Sequence, residues 1–457
     1  MSRALARVPG IAGVLLLVGV YAFDVGHGFV KDDFNWILTS RVEHVTDLSR
    51  LLGAATGFFR PLVSFSFAIN YALFDLRPLG YGLTNLALLL ACVGVLFLLL
   101  RGVGIGREVA GAVALLWALN FQGINMAVLW ISGRTALLAT LFVVASAWAW
   151  TRGSRALATV LAMAAMWSKE EALALPAILT AWSAIDRRGG LLRAAREAWP
   201  LWLVAGITLV SRTWAGAFTP LSAPPLYRYQ FDAATLSGNL LAYADRVGTT
   251  PVLALLLFWL AAGLPRVVDG GNADTRLEQS RNRALKGGAW MLCSFAPTIL
   301  LPVRSSLYAV LPSIGLMLVV GDLTERVVMR ARPAAIERAT AVVLLTFLAL
   351  VPVYRSRNLR YVQEAELSAA IVNELSMIAA AHPGGGLVVI KDRRDVRPTA
   401  EQAFGPLVER AALLVTNGKL QVWIDPPPAE LGTAASPDLR SSIATLVVEA
   451  GALKRIQ

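Results

Sequence analysis

Long apolar runs alternate with short polar gaps along the first 354 residues of this chain. Because a run of about 18 apolar residues can cross a bilayer core about 30 Å thick, the pattern predicts an α-helical polytopic membrane protein with about 11 transmembrane helices. The predicted spans are 8–23, 80–101, 109–126, 133–150, 155–168, 171–185, 199–215, 240–263, 287–302, 306–321 and 339–354.

A different pattern begins at residue 355, where short helical and strand patterns alternate between turn residues. The predicted elements are helices over 362–381 and 400–415, strands over 387–390 and 420–424, and a strand or helix over 442–449. They predict a small accessory α/β domain over 355–457, which follows a transmembrane domain over 1–354.

The basic residues predict which way the spans run. Of 457 residues, 56% are hydrophobic and 16% are charged, and the formal net charge is +12. The Lys and Arg residues cluster in alternate gaps between apolar runs, which is typical of cytoplasmic loops and not of a nucleic-acid-binding surface. This bias predicts a cytoplasmic N-terminus and an extracytoplasmic C-terminal domain, although Arg355, Arg357 and Arg360 follow the last predicted exit. The inner-side arginines include Arg3, Arg7, Arg188 and Arg266.

Two further features refine the class of protein. Residues 8–23 resemble a signal peptide, but no small-x-small cleavage site precedes Asp24, so we expect this run to remain as a span. Cys92 and Cys293 both lie within apolar runs, and no disulfide framework is therefore expected. The chain is predicted to be a multi-pass protein of the plasma membrane.

Two adjacent carboxylates, Asp32 and Asp33, lie in the first outer loop, which is predicted over 24–80. A carboxylate at the membrane surface can act as a general base, and two neighbouring carboxylates repel each other, which raises the pKa of one of them. The alternative is a solvated pair that caps a helix beginning at Phe34. The sequence leaves both interpretations open.

Other polar residues on the same predicted side interrupt apolar surroundings. They are Arg60, Asn85, Arg134, Lys169, Glu170, Arg304 and Tyr308. Ionisable residues at membrane depth are functional candidates, and arginine can grip a phosphate with two parallel hydrogen bonds. The alternative for Arg134 and Arg304 is a side chain that reaches to the interface. For Lys169 and Glu170 it is an ion pair that only holds helices together, although the short runs around them favour a water-filled cavity.

The order of these motifs resembles that of the polytopic GT-C glycosyltransferases. It reads Asp-Asp, Arg-Pro-Leu, Gly-Tyr-x-x-x-Asn, Gly-Arg, Lys-Glu and Arg-x-x-x-Tyr-x-x-x-Pro-Ser-x-Gly, beginning at residues 32, 60, 80, 133, 169 and 304. The similarity is greatest to the protein O-mannosyltransferase-like branch, including its tetratricopeptide-bearing relatives, and covers residues 10–325. The chain departs from these relatives because it ends in an α/β domain instead of helical repeats, and because Val303 stands where an acidic residue is often found. Both departures leave the acceptor open.

The resemblance implies transfer of a sugar, mannose or a similar hexose, from a polyprenyl-phosphate carrier to a protein or glycan hydroxyl on the extracytoplasmic face. It implies direct displacement with an aspartate as general base, and we favour Asp33 slightly over Asp32. If the segment is helical, Arg304 and Tyr308 share one face by their i, i+4 spacing. The residues expected at the lipid phosphate and donor are Arg304 first, then Lys169 and Arg134, with Glu170 and Tyr308.

Further residues on this side are candidates for substrate contact. They are Arg60, Asn85, Arg212, Tyr227 and Arg228. For the aromatic loop around Tyr227, the alternative is an interfacial aromatic belt. No metal-ligand spacing is evident, but His27 and His44 share the first outer loop with the carboxylates, so no cofactor is certain and a divalent cation stays open.

Other classes compete with a glycosyltransferase. A transporter or flippase of lipid-linked saccharides typically shows an internal repeat with paired broken helices, and the two halves of this chain do not resemble each other. A ligase of lipid-linked saccharides is the nearest alternative enzyme. A structural protein of the cell envelope is the third alternative.

Overall fold

The structure, a computed structural model, describes residues 8–187, 190–219, 221–263, 273–394, 396–428, 437, 439–449 and 451–456. Arg3, Arg7, Arg188 and Arg266, which the charge pattern assigns to the cytoplasmic side, lie outside the described residues. The helices are α1 (Val8–Tyr21), α2 (Asp32–Ser40), α3 (Pro61–Phe74), α4 (Pro78–Gly102), α5 (Arg107–Ala118), α6 (Asn125–Leu129), α7 (Arg134–Thr151), α8 (Arg155–Met166), α9 (Leu175–Arg187), α10 (Leu191–Glu197), α11 (Trp199–Trp214), α12 (Ala233–Ala262), α13 (Ala273–Phe295), α14 (Leu307–Arg330), α15 (Pro333–Ala349) and α16 (Val351–Ala381).

Several of these helices are long and apolar enough to cross a membrane. Within the described ranges they are Pro78–Gly102, Ile131–Thr151, Ala233–Ala262, Leu307–Arg330 and the stretch Pro333–Ala381. Shorter apolar helices accompany them at Gly10–Tyr21, Pro61–Phe74 and Arg155–Met166. Every apolar run that the sequence predicts contains a helix, and the chain is a multi-pass membrane protein. The count of about 11 spans stays a prediction.

The first outer loop contains more structure than its polar pattern predicts. It forms α2 and then, after a 3-10 turn at Val45–Leu52, the apolar helix α3. Pro61 begins α3, because proline suits a first helical turn in which its missing N–H is not needed. Trp36 of α2 stacks on the buried Phe67 of α3, with ring centroids 5.9 Å apart. The loop is therefore packed against the bundle instead of being a solvated stretch.

Helix α13 begins at Ala273, ahead of the predicted span over 287–302. Its basic first half was expected to be an inner loop. It is helical because Arg283 finds partners on α14, donating hydrogen bonds to Asp322 Oδ1 at 3.2 Å and Glu325 Oε2 at 2.9 Å. A charge that is paired and hydrogen-bonded in this way can be held against a neighbouring helix.

The α/β domain is built around a sheet whose described strands have the order β2-β1-β3-β4. Its elements are β1 (Gly386–Asp392), α17 (Ala400–Phe404), α18 (Val408–Thr416), β2 (Leu420–Asp425), β3 (Ser442–Glu449) and β4 (Ala452–Arg455). Strand β1 runs parallel to both β2 and β3, and β4 is an antiparallel edge strand. The first two predicted strands are confirmed, 442–449 is a strand, and β4 was not predicted. Asn417 ends α18 in the left-handed conformation, as its position before Gly418 indicates.

Helix α16 joins the bundle to the α/β domain without a break. It runs from Val351 to Ala381, so the predicted boundary between residues 354 and 355 falls inside a helix. A hydrophobic cluster continues from the first outer loop into the α/β domain. Within it Phe34 of α2 stacks on Phe404 of α17, with ring centroids 5.6 Å apart. The α/β domain therefore packs directly against the helix that carries the two carboxylates.

Candidate functional site

Helix α2 begins at Asp32, so Asp32 and Asp33 both lie in its first turn. Negative charges suit this position because the first N–H groups of a helix carry partial positive charge. The preceding residue, Lys31, has φ 51° and ψ −122°, in a region that favours glycine. The chain therefore enters α2 through an unfavourable backbone conformation immediately before the two carboxylates.

The Asp33 side chain is fully buried, with 0% exposure. Its Oδ1 accepts hydrogen bonds from the backbone N–H of Ser132, at 2.7 Å, and from the Ser132 hydroxyl, and its Oδ2 accepts one from the Val30 N–H at 2.9 Å. Burial raises the pKa of Asp33 to about 7, while these hydrogen bonds act in the opposite direction. Oδ1 therefore joins α2 to the segment before α7, and Oδ2 closes the turn that leads into α2.

Asp32 is half-buried, and its neighbour Asp33 is not exposed at all. Successive helical residues point about 100° apart, because a helix has about 3.6 residues per turn. When Asp33 faces the protein interior, Asp32 can face the surface above it. This geometry favours Asp32 over Asp33 as the carboxylate that meets a substrate, which reverses the order of preference drawn from the sequence.

Arg134 is also fully buried and begins α7, two residues after Ser132. Its guanidinium donates hydrogen bonds to Asn70 Oδ1 at 2.5 Å, to the Tyr81 carbonyl at 3.1 Å and to Asn85 Oδ1 at 3.2 Å, and it lies 4.3 Å from the centre of the Phe67 ring. With 0% exposure, Arg134 presents no surface to the outside of the protein. The expected contact between Arg134 and a lipid phosphate does not fit this placement, nor does interfacial snorkelling.

Asn85, expected as a substrate contact, is likewise buried with 0% exposure. Its amide donates hydrogen bonds to the carbonyls of Val128, Trp130 and Ile131 at 3.1–3.2 Å. Asn85 therefore holds the irregular turn before α7, since buried carbonyls need a donor. It is a structural residue in this arrangement.

A group of charged residues surrounds the short 3-10 turn at Glu170–Ala174, and we call it the charge cluster. Its members are Arg60, Lys169, Glu170, Glu171 and Arg212. Glu170 accepts hydrogen bonds from Arg60 Nη2 at 2.6 Å and from Arg212 Nη1 at 2.8 Å. Burial acts to raise the pKa of Glu170, but the two arginines outweigh it and lower that pKa to about 2. Glu170 is thus a permanent anion that holds two cations in place.

Lys169, with 4% exposure, forms the second ion pair of the charge cluster. Its Nζ lies 2.6 Å from Glu171 Oε1 and 4.9 Å from the centre of the Tyr308 ring on α14. Burial lowers the pKa of Lys169, while Glu171 acts in the opposite direction. The pairing is Lys169 with Glu171 and not, as the motif indicated, Lys169 with Glu170.

Arg304 lies outside the charge cluster, in the irregular segment before α14, and its side chain is exposed. Its Nε donates to Asn239 Oδ1 at 2.9 Å, and none of the ion pairs found among the described residues involves Arg304. Because α14 begins at Leu307, Arg304 is not helical, and the condition for a helix face shared with Tyr308 is not met. Arg304 lies four residues before Tyr308, whose ring Lys169 contacts, so the start of α14 connects it to the charge cluster.

Aromatic rings border the charge cluster. The Arg60 guanidinium lies 4.3 Å from the centre of the Phe58 ring, and Phe58 makes edge contacts with Phe218 and Tyr227, each at 5.5 Å between centroids. This rim includes Tyr227, one of the candidate contact residues. Its neighbour Arg228 is exposed and donates to the Ala223 carbonyl at 2.8 Å. Aromatic faces of this kind can stack on a sugar ring or face lipid headgroups.

Several residues of this region were not predicted from the sequence. Glu171 follows Lys169-Glu170 directly, so the sequence offered a second acidic partner for Lys169. The motif contains only Lys169 and Glu170, and Glu171 was therefore not among the candidates. Ser132, Asn70 and Asn239 are single polar residues in apolar surroundings, and only their partners reveal what they do. Among the described residues, no group of three or more His, Cys, Asp or Glu side chains is arranged to hold a metal ion.

No protein-family model and no curated protein matches the chain. Among solved structures, it is similar to the crystal structure of ArnT from Cupriavidus metallidurans bound to undecaprenyl phosphate, with 14% identity, a TM-score of 0.52 and coverage of 92% of this chain and 86% of ArnT. It is also similar to the cryo-EM structure of the arabinofuranosyltransferase AftD from Mycobacteria, with 17% identity, a TM-score of 0.48 and coverage of 85% of this chain and 29% of AftD. The similarity to ArnT shows a shared fold and supports the GT-C fold that the motif order implies.

Replacing Arg134 by Lys tests whether this residue is structural. Lysine keeps the charge but cannot reach the same set of oxygens, so we expect a loss of about 1.5–3 kcal/mol in the free energy of unfolding for each charged hydrogen bond not replaced. Thermal unfolding in detergent measures the loss, with the exposed Arg332→Lys as control. Unchanged stability together with weakened polyprenyl-phosphate binding would instead assign Arg134 to a donor site.

Proposed function

We propose that this protein is an integral-membrane glycosyltransferase. It transfers a sugar, mannose or a related hexose, from a polyprenyl-phosphate carrier to a hydroxyl of a protein or glycan on the extracytoplasmic face of the plasma membrane. The observation that carries the proposal is that a half-buried carboxylate, Asp32, and a cationic cluster lie on elements that helix α3 joins, in a chain whose fold is similar to that of ArnT. The similarity to ArnT, whose structure contains undecaprenyl phosphate, supports a polyprenyl-linked donor.

Helix α3 connects the carboxylates to the charge cluster. Its middle packs on α2, where Trp36 stacks on Phe67. At its start the Leu62 N–H donates to the Trp167 carbonyl at 3.2 Å, which brings the residue before α3, Arg60, to the turn that carries Glu170. Helix α3 therefore links the α2 carboxylates and the charge cluster in one packed unit. A general base and a phosphate site that serve one reaction need such a link.

The short helix before the charge cluster supports a cavity open to one leaflet. Helix α8 has 12 residues, a length of about 18 Å at 1.5 Å per residue, which is well below the thickness of a bilayer core. Lys169 and Glu170 follow it, and so lie below the level of a full-length span. A carrier lipid could then reach them with its phosphate while its chain stays in the membrane.

In the proposed reaction, Asp32 accepts the proton of the acceptor hydroxyl. The oxygen of that hydroxyl forms a bond to the anomeric carbon of the sugar, and the bond from this carbon to the phosphate oxygen breaks. The electron pair stays on the departing polyprenyl phosphate, so atoms and charge balance without a further reactant. General base catalysis of this kind typically contributes about 10²–10⁴-fold to a rate.

The cations stabilise the departing phosphate. The charge cluster holds three cations and two carboxylates, which leaves one positive charge in excess. Arg304 adds an exposed guanidinium nearby whose Nη groups can grip phosphate oxygens. Fixed charges in a poorly hydrated site stabilise developing negative charge strongly, because they need no reorganisation. The phosphate is therefore proposed to bind Arg304, beside the charge cluster.

Asn substitutions separate the two carboxylates. We expect Asp32→Asn to lower kcat by about 10²–10⁴-fold with little change in stability, because shape is kept and basicity is lost. We expect Asp33→Asn to lower the free energy of unfolding by about 1–3 kcal/mol, because the amide NH₂ would face an N–H donor. Transfer from a synthetic polyprenyl-phosphate hexose and thermal unfolding measure the two effects. Wild-type transfer by both variants would rule out the proposed mechanism.

Arg304→Ala tests the phosphate site. Losing a charge-assisted contact costs about 1.5–3 kcal/mol, so we expect carrier binding to weaken about ten- to a hundredfold. Arg304→Lys should recover only part of the affinity, because an ammonium cannot form two parallel hydrogen bonds. Binding of polyprenyl phosphate to purified protein measures the effect, with exposed Arg332→Ala as control. Unchanged affinity in a folded Arg304→Ala protein would move the site to the charge cluster alone.

A further inference from the structure

We propose that the ion pair between Lys31 and Glu364 positions the α2 carboxylates for catalysis, so that the C-terminal part of the chain is needed for the chemical step. This inference rests on the proposed function. It assigns to Glu364 a role as a positioning residue, one that touches neither the sugar nor the phosphate and acts through the backbone at Lys31. It also gives a function to the packing between the α/β domain and the first outer loop.

The backbone at Lys31 is the part of the site that needs support. With φ 51° and ψ −122°, this non-glycine residue occupies a sparsely populated conformation directly before Asp32. Such a conformation persists only where surrounding contacts enforce it, and these residues cluster at active sites. A relaxation of Lys31 to ordinary dihedral angles would turn the first residues of α2 and move the Asp32 side chain.

The contacts that enforce it come from the C-terminal part of the chain. Lys31 Nζ lies 3.0 Å from Glu364 Oε2 on α16, and the Lys31 backbone N–H donates to the Ala403 carbonyl on α17 at 2.9 Å. The Glu364 side chain is only 7% exposed, so its charge needs this partner. The side chain of Lys31 is thus held by α16, and its backbone is held by α17.

Helix α16 also fixes the segment that leads to Lys31. Asn358 donates to the Val20 carbonyl at 2.9 Å and to Asp24 Oδ2 at 3.0 Å. Gly28, with φ 137°, lies so close to α16 that an added Cβ would be 3.2 Å from the Ala365 carbonyl oxygen. The segment that leads to α2 is therefore fixed by contacts with α16, and Glu364 holds the last residue of that segment, Lys31.

Hydrophobic packing alone would dock the α/β domain. The stacked pair Phe34 and Phe404, together with the apolar cluster around it, buries enough surface for that purpose. A buried carboxylate adds nothing to such docking and costs desolvation unless its partner is well placed. Glu364 lies beside the strained residue Lys31. This location favours a role for Glu364 in orienting the α2 carboxylates over a role in folding.

The test uses Glu364→Gln, which keeps the shape of the side chain and removes its charge. Because small misplacements of reacting groups cost up to about 10²-fold, we expect kcat to fall roughly ten- to a hundredfold. The Michaelis constant for the polyprenyl-phosphate donor should change by less than about twofold, since the phosphate site is untouched. Glu366→Gln, an exposed residue on the same helix, is the matched control and should behave as wild type.

Lys31→Met provides the second variant, because it keeps an unbranched side chain on the strained backbone at φ 51° while the ion pair is lost. We expect it to fold and to lose kcat as Glu364→Gln does, and we expect the double variant to be no worse than either single one. Losses that multiply in the double variant would overturn the proposal. So would a loss that appears in the donor Michaelis constant, or one that only follows the folded fraction in size-exclusion chromatography.

The outcomes also separate this inference from the proposed function. If Asp32→Asn is inactive and Glu364→Gln is fully active, the positioning role fails and the glycosyltransferase mechanism stands. If Asp32→Asn retains full transfer, the proposed mechanism itself fails, whatever Glu364→Gln does. Loss of kcat in both variants, with donor affinity kept in Glu364→Gln, supports both.

Discussion

A charge buried among apolar helices must be paired or fully hydrogen-bonded, and this requirement organises the carboxylate end of the bundle. An unpaired charge in such surroundings costs several kcal/mol, in the range of about 3–5 when one partner of a buried pair is lost. Arg134 meets the requirement with amide and carbonyl oxygens, Asp33 with three hydrogen bonds, and Glu170 with two arginines. These partners lie on segments far apart in sequence, so a rearrangement of this end of the bundle would break some of these bonds.

The same requirement divides the polar residues into two groups. Those that are fully buried, such as Asn85 and Arg134, hold the scaffold through hydrogen bonds within the protein. Among the candidates, Arg304 and Arg228 are exposed, and Asp32 is half-buried. A general base and a phosphate-binding cation need such exposure, which the buried Lys169–Glu171 pair lacks. Some residues of the GT-C-like motifs therefore hold the scaffold, and others carry the proposed chemistry.

Much of the fold was predictable from the sequence, because hydrophobic periodicity and turn residues are local signals. The apolar runs, the strands at 387–390 and 420–424, and the helix end at Asn417 follow from such signals, and the motif order indicated the GT-C fold. The orientation of Asp33 was not predictable, because it depends on Ser132, about 100 positions along the chain. The partners of Lys169 and Lys31 were hidden for the same reason, since a charge in sequence does not reveal which opposite charge it meets in space.

The central claim is a single displacement at the anomeric carbon by an acceptor hydroxyl that a carboxylate deprotonates. The most direct measurement is the anomeric configuration of the product formed by purified protein from a polyprenyl-phosphate sugar of defined anomer, read by NMR of the transferred sugar. Because one displacement inverts the reacting carbon, the account predicts a product of the opposite anomeric configuration to the donor. Retention of configuration would require a covalent sugar–enzyme intermediate and would contradict the account.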